Sequence, residues 1–474
     1  MAVELRVGLF GIGLAAYWSQ FAGLEERLRG YVGVVEERLK GPGRAIVNLG
    51  MVDTVDRAYA VGHQARREDV DLLVIYVTTY ALSSTVLPIV RRAGVPVIVL
   101  NLQPEASLDY AKFNALPNRT AMTGEWLAYC SSCPVPELAN VFQRAGIRFH
   151  EVVGVLEGDP ECWDEVEGWM KAAGVVSTLN HLRLGLMGHY YSGMLDIATD
   201  LTAVVKVFGA HLEMLEVDEL SGLRASVGED QLRERLATFA EIFDVQGDCS
   251  AYELERAART SVALDAMVER YGLGALAYYA MGSGNAANEE TMSSIILGTS
   301  LLTARGVAVA GEYEVKNVLA MKIMDGLGTG GSFTEFYAID FKDDVVLMGH
   351  DGPGHMGIAE GRTKVRPLEV YHGKVGSGLS VEMSVRSGPC TLLSVVECSK
   401  NGYKLVFVEG EVVPGETMAI GNTNSRFRFP GGARRFVKAW NAEGPAHHCA
   451  VGVGHVGAVL EKVAALLNID AVGV

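Results

Sequence analysis

Apolar residues in the first third of the chain come in short, nearly unbroken runs. Residues 5–10 (LRVGLF), 45–49, 71–77 (DLLVIYV), 95–100 (VPVIVL) and 149–155 are rich in β-branched side chains, and the first three stop at Gly11, Gly50 and Thr78-Thr79. Runs of this kind suit strands buried on both faces. Between them, segments such as 21–39 and 55–67 place apolar residues at helical spacing. Strand–helix alternation predicts a parallel, doubly wound sheet. Ligands of such sheets sit beyond the carboxyl ends of the strands, which here are residues 11–18, 48–53, 77–81 and 101–105.

The pattern restarts after residue 175. A strand is predicted at 185–189, helices at 193–207, 230–243 and 251–271, a strand at 276–281 and a helix at 293–305. After about residue 326 the character changes. Short apolar runs at 345–349, 368–372, 379–385, 390–398, 404–408 and 434–439 are separated by Gly, Pro and Asn turns, and a helix is predicted at 458–467. Strands at this spacing predict an antiparallel sandwich or barrel. The expected fold is therefore α/β: two doubly wound, Rossmann- or flavodoxin-like domains over 1–175 and 176–325, then a β-rich, barrel-like domain over 326–474.

Composition narrows the function classes. With 49% hydrophobic and 21% charged residues over 474 positions, the chain is an ordinary globular protein of several domains. Its net charge of 41 − 57 = −16 offers no basic face for nucleic acid. No window of 18 apolar residues lacks a charge, so no membrane span is expected. The opening MAVELRVGLF lacks the basic and then long apolar regions of a signal peptide, so a cytoplasmic protein is expected. Cys130 and Cys133 form a C-S-S-C without a second pair at zinc-finger spacing, and read as reduced thiols at a loop or helix end. Gly11-Ile12-Gly13-Leu14-Ala15-Ala16 is a loose version of a dinucleotide turn, but the second strand ends Asn48-Leu49-Gly50, without the acidic residue that fingerprint requires. A tight turn accounts for these glycines.

Glycine is in excess, at 55 residues against roughly 33 expected, and the candidate chemistry lies in glycine-rich stretches. Four stand out: Ala310-Gly311-Glu312-Tyr313-Glu314, Gly330-Gly331-Ser332-Phe333-Thr334-Glu335-Phe336-Tyr337, Met348-Gly349-His350-Asp351-Gly352-Pro353-Gly354-His355 and Gly444-Pro445-Ala446-His447-His448. Any one of these Glu residues alone reads as a solvated side chain or a helix cap, and any one His as a hydrogen-bonded core residue. Together, two carboxylates (Glu312, Glu335) and two imidazoles (His350, His448) suit a divalent ion of intermediate hardness, Mn²⁺ with Co²⁺ or Fe²⁺ as substitutes. They suit structural zinc less well. Octahedral coordination leaves two positions for water or substrate oxygens.

These four segments, in their order and approximate spacing, resemble the L-arabinose isomerase and L-fucose isomerase superfamily, and its arabinose branch more closely. Arg386-Ser387-Gly388-Pro389 is also similar to a family stretch. The resemblance implies that Glu312, Glu335, His350 and His448 hold Mn²⁺, that the two glutamates are acid and base in aldose–ketose interconversion through an enediol, and that His447 touches substrate. It further implies a homo-oligomer, trimer or hexamer, whose sites lie between subunits. The chain departs from the pattern after His350, where Asp351-Gly352-Pro353-Gly354-His355 replaces an apolar and acidic run, and in its first βα turn, which carries Tyr17-Trp18. Trp18, Gln103, His189 and His355 are further candidates to line a sugar pocket. Three other readings compete: a metal-dependent hydrolase or lyase with the same ligands, a non-catalytic sugar-binding protein built on two α/β units, and a nucleotide-dependent dehydrogenase resting on the glycine turn alone.

Overall fold

The computed structural model describes residues 4–281, 284–368, 377–398 and 402–474. These fall into two compact units, one up to residue 177 and the other from residue 178 onward. The first is built on five strands: β1 (Leu5–Ile12), β2 (Arg44–Val52), β3 (Leu72–Val77), β4 (Val97–Gln103) and β5 (His150–Val155). They pair in parallel in the order β2-β1-β3-β4-β5, which is the flavodoxin-like arrangement. All six residues of β3 are buried, as expected of a central parallel strand. Helix Leu24–Leu39 turns Leu28, Val32, Val35 and Leu39 inward, a spacing of three and four that keeps one face on the core. It starts three residues later than the pattern suggested.

The glycine turn is occupied, and the expectation on the cysteines changes. The glycine turn has no room for a phosphate over Gly13, because a Cβ there would lie 2.8 Å from the Trp18 ring. That ring is fixed by Trp18 Nε1–H donating to Asp53 Oδ2 at 2.7 Å. Cys130 and Cys133, expected to be reduced, are joined in a disulfide. The turn between them brings their Cα atoms to 5.4 Å, inside the range a disulfide spans.

The second unit begins with another parallel sheet: β6 (Arg183–Gly188), β7 (His211–Leu215), β9 (Ala275–Tyr279) and β10 (Ala308–Ala310), in the order β10-β9-β6-β7. The two-residue β8 (Asp244–Val245) instead joins β13 (Lys364–Leu368) and β14 (Gly378–Glu382) in a small separate sheet. Of the strand expected at 368–372, residues 369–372 lie outside the described residues. The helix expected at 193–207 is confined to Leu201–Phe208. Asp200 stops it from extending backward, since its carboxylate caps the helix by accepting from the N–H groups of Thr202 and Ala203. The residues before it form a loop that carries Asp196.

The remaining strands are β11 (Gly330–Asp340), β12 (Val345–His350), β15 (Gly388–Cys398), β16 (Gly402–Val412), β17 (Thr423–Arg428), β18 (His448–Val453) and β19 (Asp470–Gly473). Six of them close on themselves in the order β15-β18-β11-β12-β17-β16, with β16 returning to β15, and every one of these pairings is antiparallel. This is a closed antiparallel barrel, which leaves no open edge within the ring. The strand expected at 434–439 is instead helix Ala433–Ala442. Its buried residues are Ala433, Phe436 and Trp440, spaced three and four apart, and Phe336 and Phe429 pack on Phe436. Burial at that period is a helical face, and a short apolar run alone does not distinguish it from a strand.

Candidate metal centre

Glu312 stands just past the carboxyl end of β10, the position where parallel sheets bind ligands. The chain reverses there in a tight turn closed by Glu314 N–H donating to Gly311 C=O at 3.1 Å. Both central residues are left-handed, Glu312 at φ 58° and Tyr313 at φ 63°. Such a turn ordinarily takes Gly or Asn, and the conformation costs about 1–2 kcal/mol per ordinary residue. Strand β9 and a neighbouring loop hold it in place. Tyr313 N–H donates to Tyr278 C=O at 3.0 Å, and the Tyr313 ring packs edge-on to Tyr190 at 4.8 Å. Backbone strain retained at a charged residue is characteristic of functional positions.

The barrel supplies the other groups from three adjacent strands. In register, Glu335 of β11 lies opposite His448 of β18 on one side and Gly349 of β12 on the other. His350 follows Gly349. Residues so paired have Cβ atoms about 4.5–5.5 Å apart. Phe333, on the same face of β11 as Glu335, is fully buried and packs against both imidazoles, at 4.2 Å from His350 and 4.4 Å from His448. Gly349 is required by close approach: a Cβ there would fall 1.8 Å from the Thr423 carbonyl oxygen.

Loop and barrel groups meet in two overlapping sets. Glu312, His447 and His448 offer ligand atoms within 4.8 Å of one another, and so do Glu335, His350 and His448. Glu312 Oε2 lies 3.4 Å from His448 Nε2 and 3.6 Å from His447 Nε2, and Glu312 Oε1 lies 4.0 Å from His350 Nε2. The structure thus brings together all four residues expected as ligands, with His447 beside them.

Two carboxylates behind the histidines were not expected. Asp196 Oδ2 accepts from both the backbone N–H of His447, at 3.0 Å, and its Nδ1–H, at 2.6 Å. Glu314 is wholly buried, and its Oε2 lies 3.2 Å from His448 Nδ1. Glu314 lies in the glycine-containing stretch of Glu312, but an acid at the start of a helix has no distinguishing sequence signal. Asp196 is 251 residues from His447 and had none.

The electrostatics follow from burial and crowding. Burial raises Glu335 to about 7, with Glu312 and Asp351 pushing the same way and His447 opposing. Burial raises Glu314 to about 8. Burial also pulls on His447, but its bonds to Glu312 and Asp196 prevail and lift it to about 9. His448 is driven down to about 3 by burial and by the neighbouring His447. Without a cation these buried acids resist ionisation while His448 stays neutral, and a cation placed among them would draw the carboxyls into their ionised form. Two carboxylates with neutral imidazoles form a mixed oxygen and nitrogen donor set suited to a first-row divalent ion. His350 is the least prepared of them, because its Nδ1 accepts the Gly352 N–H at 2.9 Å, which leaves the proton of the neutral ring on Nε2.

The other candidates are more scattered. His189 donates its backbone N–H to Tyr279 C=O and packs edge-on to the Tyr279 ring at 5.4 Å, at the carboxyl end of β6. His355 is buried and donates its N–H to Ser332 Oγ at 3.2 Å. Its ring lies by Gly330, five residues along β11 from Glu335, so it is in neither set of converging groups. Trp18 and Gln103 belong to the N-terminal unit. Trp18 is tied to Asp53 there, and Gln103 Nε2–H donates to Ser131 Oγ at 2.5 Å.

No helix among the described residues is long and apolar enough to cross a membrane. No curated protein matches the chain. Residues 330–470 match the L-arabinose isomerase C-terminal domain, a span that holds the whole barrel, Glu335, His350 and His448, while Glu312 precedes it. In this region the chain is L-arabinose isomerase-like, and the match marks a sugar-isomerase-like protein.

Proposed function

We propose that the protein is a metal-dependent aldose–ketose isomerase with Glu312, Glu335, His350 and His448 as ligands of Mn²⁺, Co²⁺ and Fe²⁺ being chemically equivalent substitutes. The observation that carries this reading is the convergence of two carboxylates and three imidazoles within ligand reach, at the edge of a barrel that matches an isomerase domain. A divalent ion bound there supplies Lewis-acid stabilisation of negative charge developing on adjacent substrate oxygens.

The chain's own groups move the proton. Breaking the C2–H bond of an aldose sends its electron pair into a C1–C2 double bond, the carbonyl π pair onto O1 and the proton onto a carboxylate. Moving the hydroxyl proton from O2 to O1 lets the O2 pair form the new carbonyl as the carboxylate returns its proton to C1, which gives the ketose. Glu335, opposite His448 in the barrel register, is placed to take and return that proton, with Glu312 as its counterpart. His447 reaches toward Glu312 from the more exposed side and is placed to hold a sugar hydroxyl. By resemblance the enzyme is a cytoplasmic homo-oligomer whose sites are completed between subunits, Trp18 and Gln103 being contributed by a neighbour; light scattering tests the assembly.

The deciding experiment is a panel of aldoses incubated with protein whose Mn²⁺ content has been measured, assayed for ketose. Turnover of one aldose, abolished in Glu312→Gln and Glu335→Gln, is the expected result. Metal-loaded protein that converts no aldose, or a Gln variant with wild-type turnover, would refute the proposal.

A further inference from the structure

His448 has no exposed surface on its side chain, and neither has Glu314. Burying a carboxylate costs several kcal/mol unless it is paired or hydrogen-bonded, so a fully buried glutamate calls for a role. Two structural roles are open to it, and among the described residues neither is made by a hydrogen bond, Lys316 acting on it only through its charge. Glu314 occupies the N-cap position of helix Val315–Gly326, yet its side chain makes no capping bond. Lys316, the cation nearest in sequence, gives its ammonium to the carbonyl oxygens of Asp196 and Ala198. Among the described residues Glu314 Oε1 has no hydrogen-bond partner, and Oε2 is directed at His448 Nδ1, 3.2 Å away.

We infer that Glu314 is a positioning residue for the metal centre: it holds the Nδ1 side of His448, so that Nε2, facing Glu312, presents its lone pair to the ion. This rests on the metal reading above. An imidazole binds a metal only through a deprotonated nitrogen, and the bond made by the other nitrogen decides which one that is. The Nδ1 of His350 accepts a backbone N–H, the opposite arrangement. Of the two barrel histidines, His448 alone is arranged as a ready ligand, and Glu314 makes it so. A carboxylate behind a ligating imidazole also raises the basicity of the ligand nitrogen.

The test is Mn²⁺ binding by EDTA-stripped protein, followed by electron paramagnetic resonance of free Mn²⁺, for wild type, Glu314→Ala and Glu314→Gln. Partners of this kind are worth roughly 10–100-fold in metal affinity. Glu314→Ala is expected to fall in that range. Glu314→Gln, which keeps an acceptor oxygen but no charge, is expected near its lower end. Thermal midpoints of the metal-free proteins should be unchanged or higher in the variants, which separates positioning from a structural role. If Glu314→Ala does not fold, the isosteric Glu314→Gln carries the test. A folded variant that binds Mn²⁺ within twofold of wild type overturns the inference alone. Wild-type protein that binds no Mn²⁺ overturns the metal reading and this inference with it.

Discussion

Glu335 should make the metal-free protein progressively less stable as pH rises, and Glu335→Gln should remove that loss. In the folded state burial, Glu312 and Asp351 hold this carboxyl up at about 7 instead of its ordinary 4.5. Below about 4.5 the group is protonated whether the chain is folded or not, and it costs nothing. As pH rises, the unfolded chain releases its proton first, so the folded state loses ground until the folded carboxyl also ionises at about 7. At about 1.4 kcal/mol per pH unit, the gap between 4.5 and about 7 amounts to some 3 kcal/mol. Partial contact with solvent trims this toward about 2. A glutamine fills the same space with nothing to ionise. Urea unfolding of EDTA-treated protein at pH 5 and pH 8.5 measures the difference directly. Wild type should lose about 2–3 kcal/mol more than Glu335→Gln across that interval. Mn²⁺ at a hundred times its dissociation constant should return about 2.7 kcal/mol to wild type and less to the variant. Parallel pH profiles for the two proteins would refute the assignment of Glu335 as a carboxyl raised by its surroundings.

Two further changes probe the same centre. Asp196→Asn removes one of the two carboxylates that lift His447 to about 9, so the imidazole should lose its proton at lower pH. In EDTA-treated protein the substitution should cost stability below about pH 6.5, where the pair is fully charged, and little above about pH 9, where His447 is neutral in either protein; equal costs at both ends would argue against the charged pair. Gly349→Ala places a methyl 1.8 Å from the Thr423 carbonyl oxygen, where only backbone movement relieves the clash. It should cost about 3 kcal/mol or more and weaken Mn²⁺ binding through the neighbouring His350, and a denaturation midpoint close to wild type would contradict the observed strand spacing.

The parts of the fold legible in the sequence are those whose signal is local. Unbroken β-branched runs such as 71–77 could only be strands buried on both faces, and all of β3 is buried. The run at 434–439 was ambiguous because five or six apolar and basic residues fit either period; its partners Phe336 and Phe429 lie elsewhere in the sequence and decided for a helix. The centre divides in the same way. Glu312, Glu335, His350 and His448 stand in glycine-rich segments whose order could be compared with a family. Asp196 and Glu314 act only through what they touch, and a hydrogen bond across 251 residues leaves no spacing to read. The Cys130–Cys133 disulfide is illegible for another reason: pairing depends on the turn that brings the two Cα atoms to 5.4 Å, which neither composition nor spacing reveals.

The barrel register sets an order of events for a growing chain. Glu312, Glu335 and His350 are made within about forty residues of one another, whereas His448 follows roughly a hundred residues later. β11 can pair with β12 at once, but its other flank stays open until β18 arrives. Until then the half-built barrel exposes unpaired backbone and apolar surface of the kind that aggregates. On the proposed ligand set, ion capture during synthesis would report that the last strands have joined, and a nascent chain stalled before β18 would have three of the four proposed ligands, an unprotected sheet edge and no means of closing either deficit.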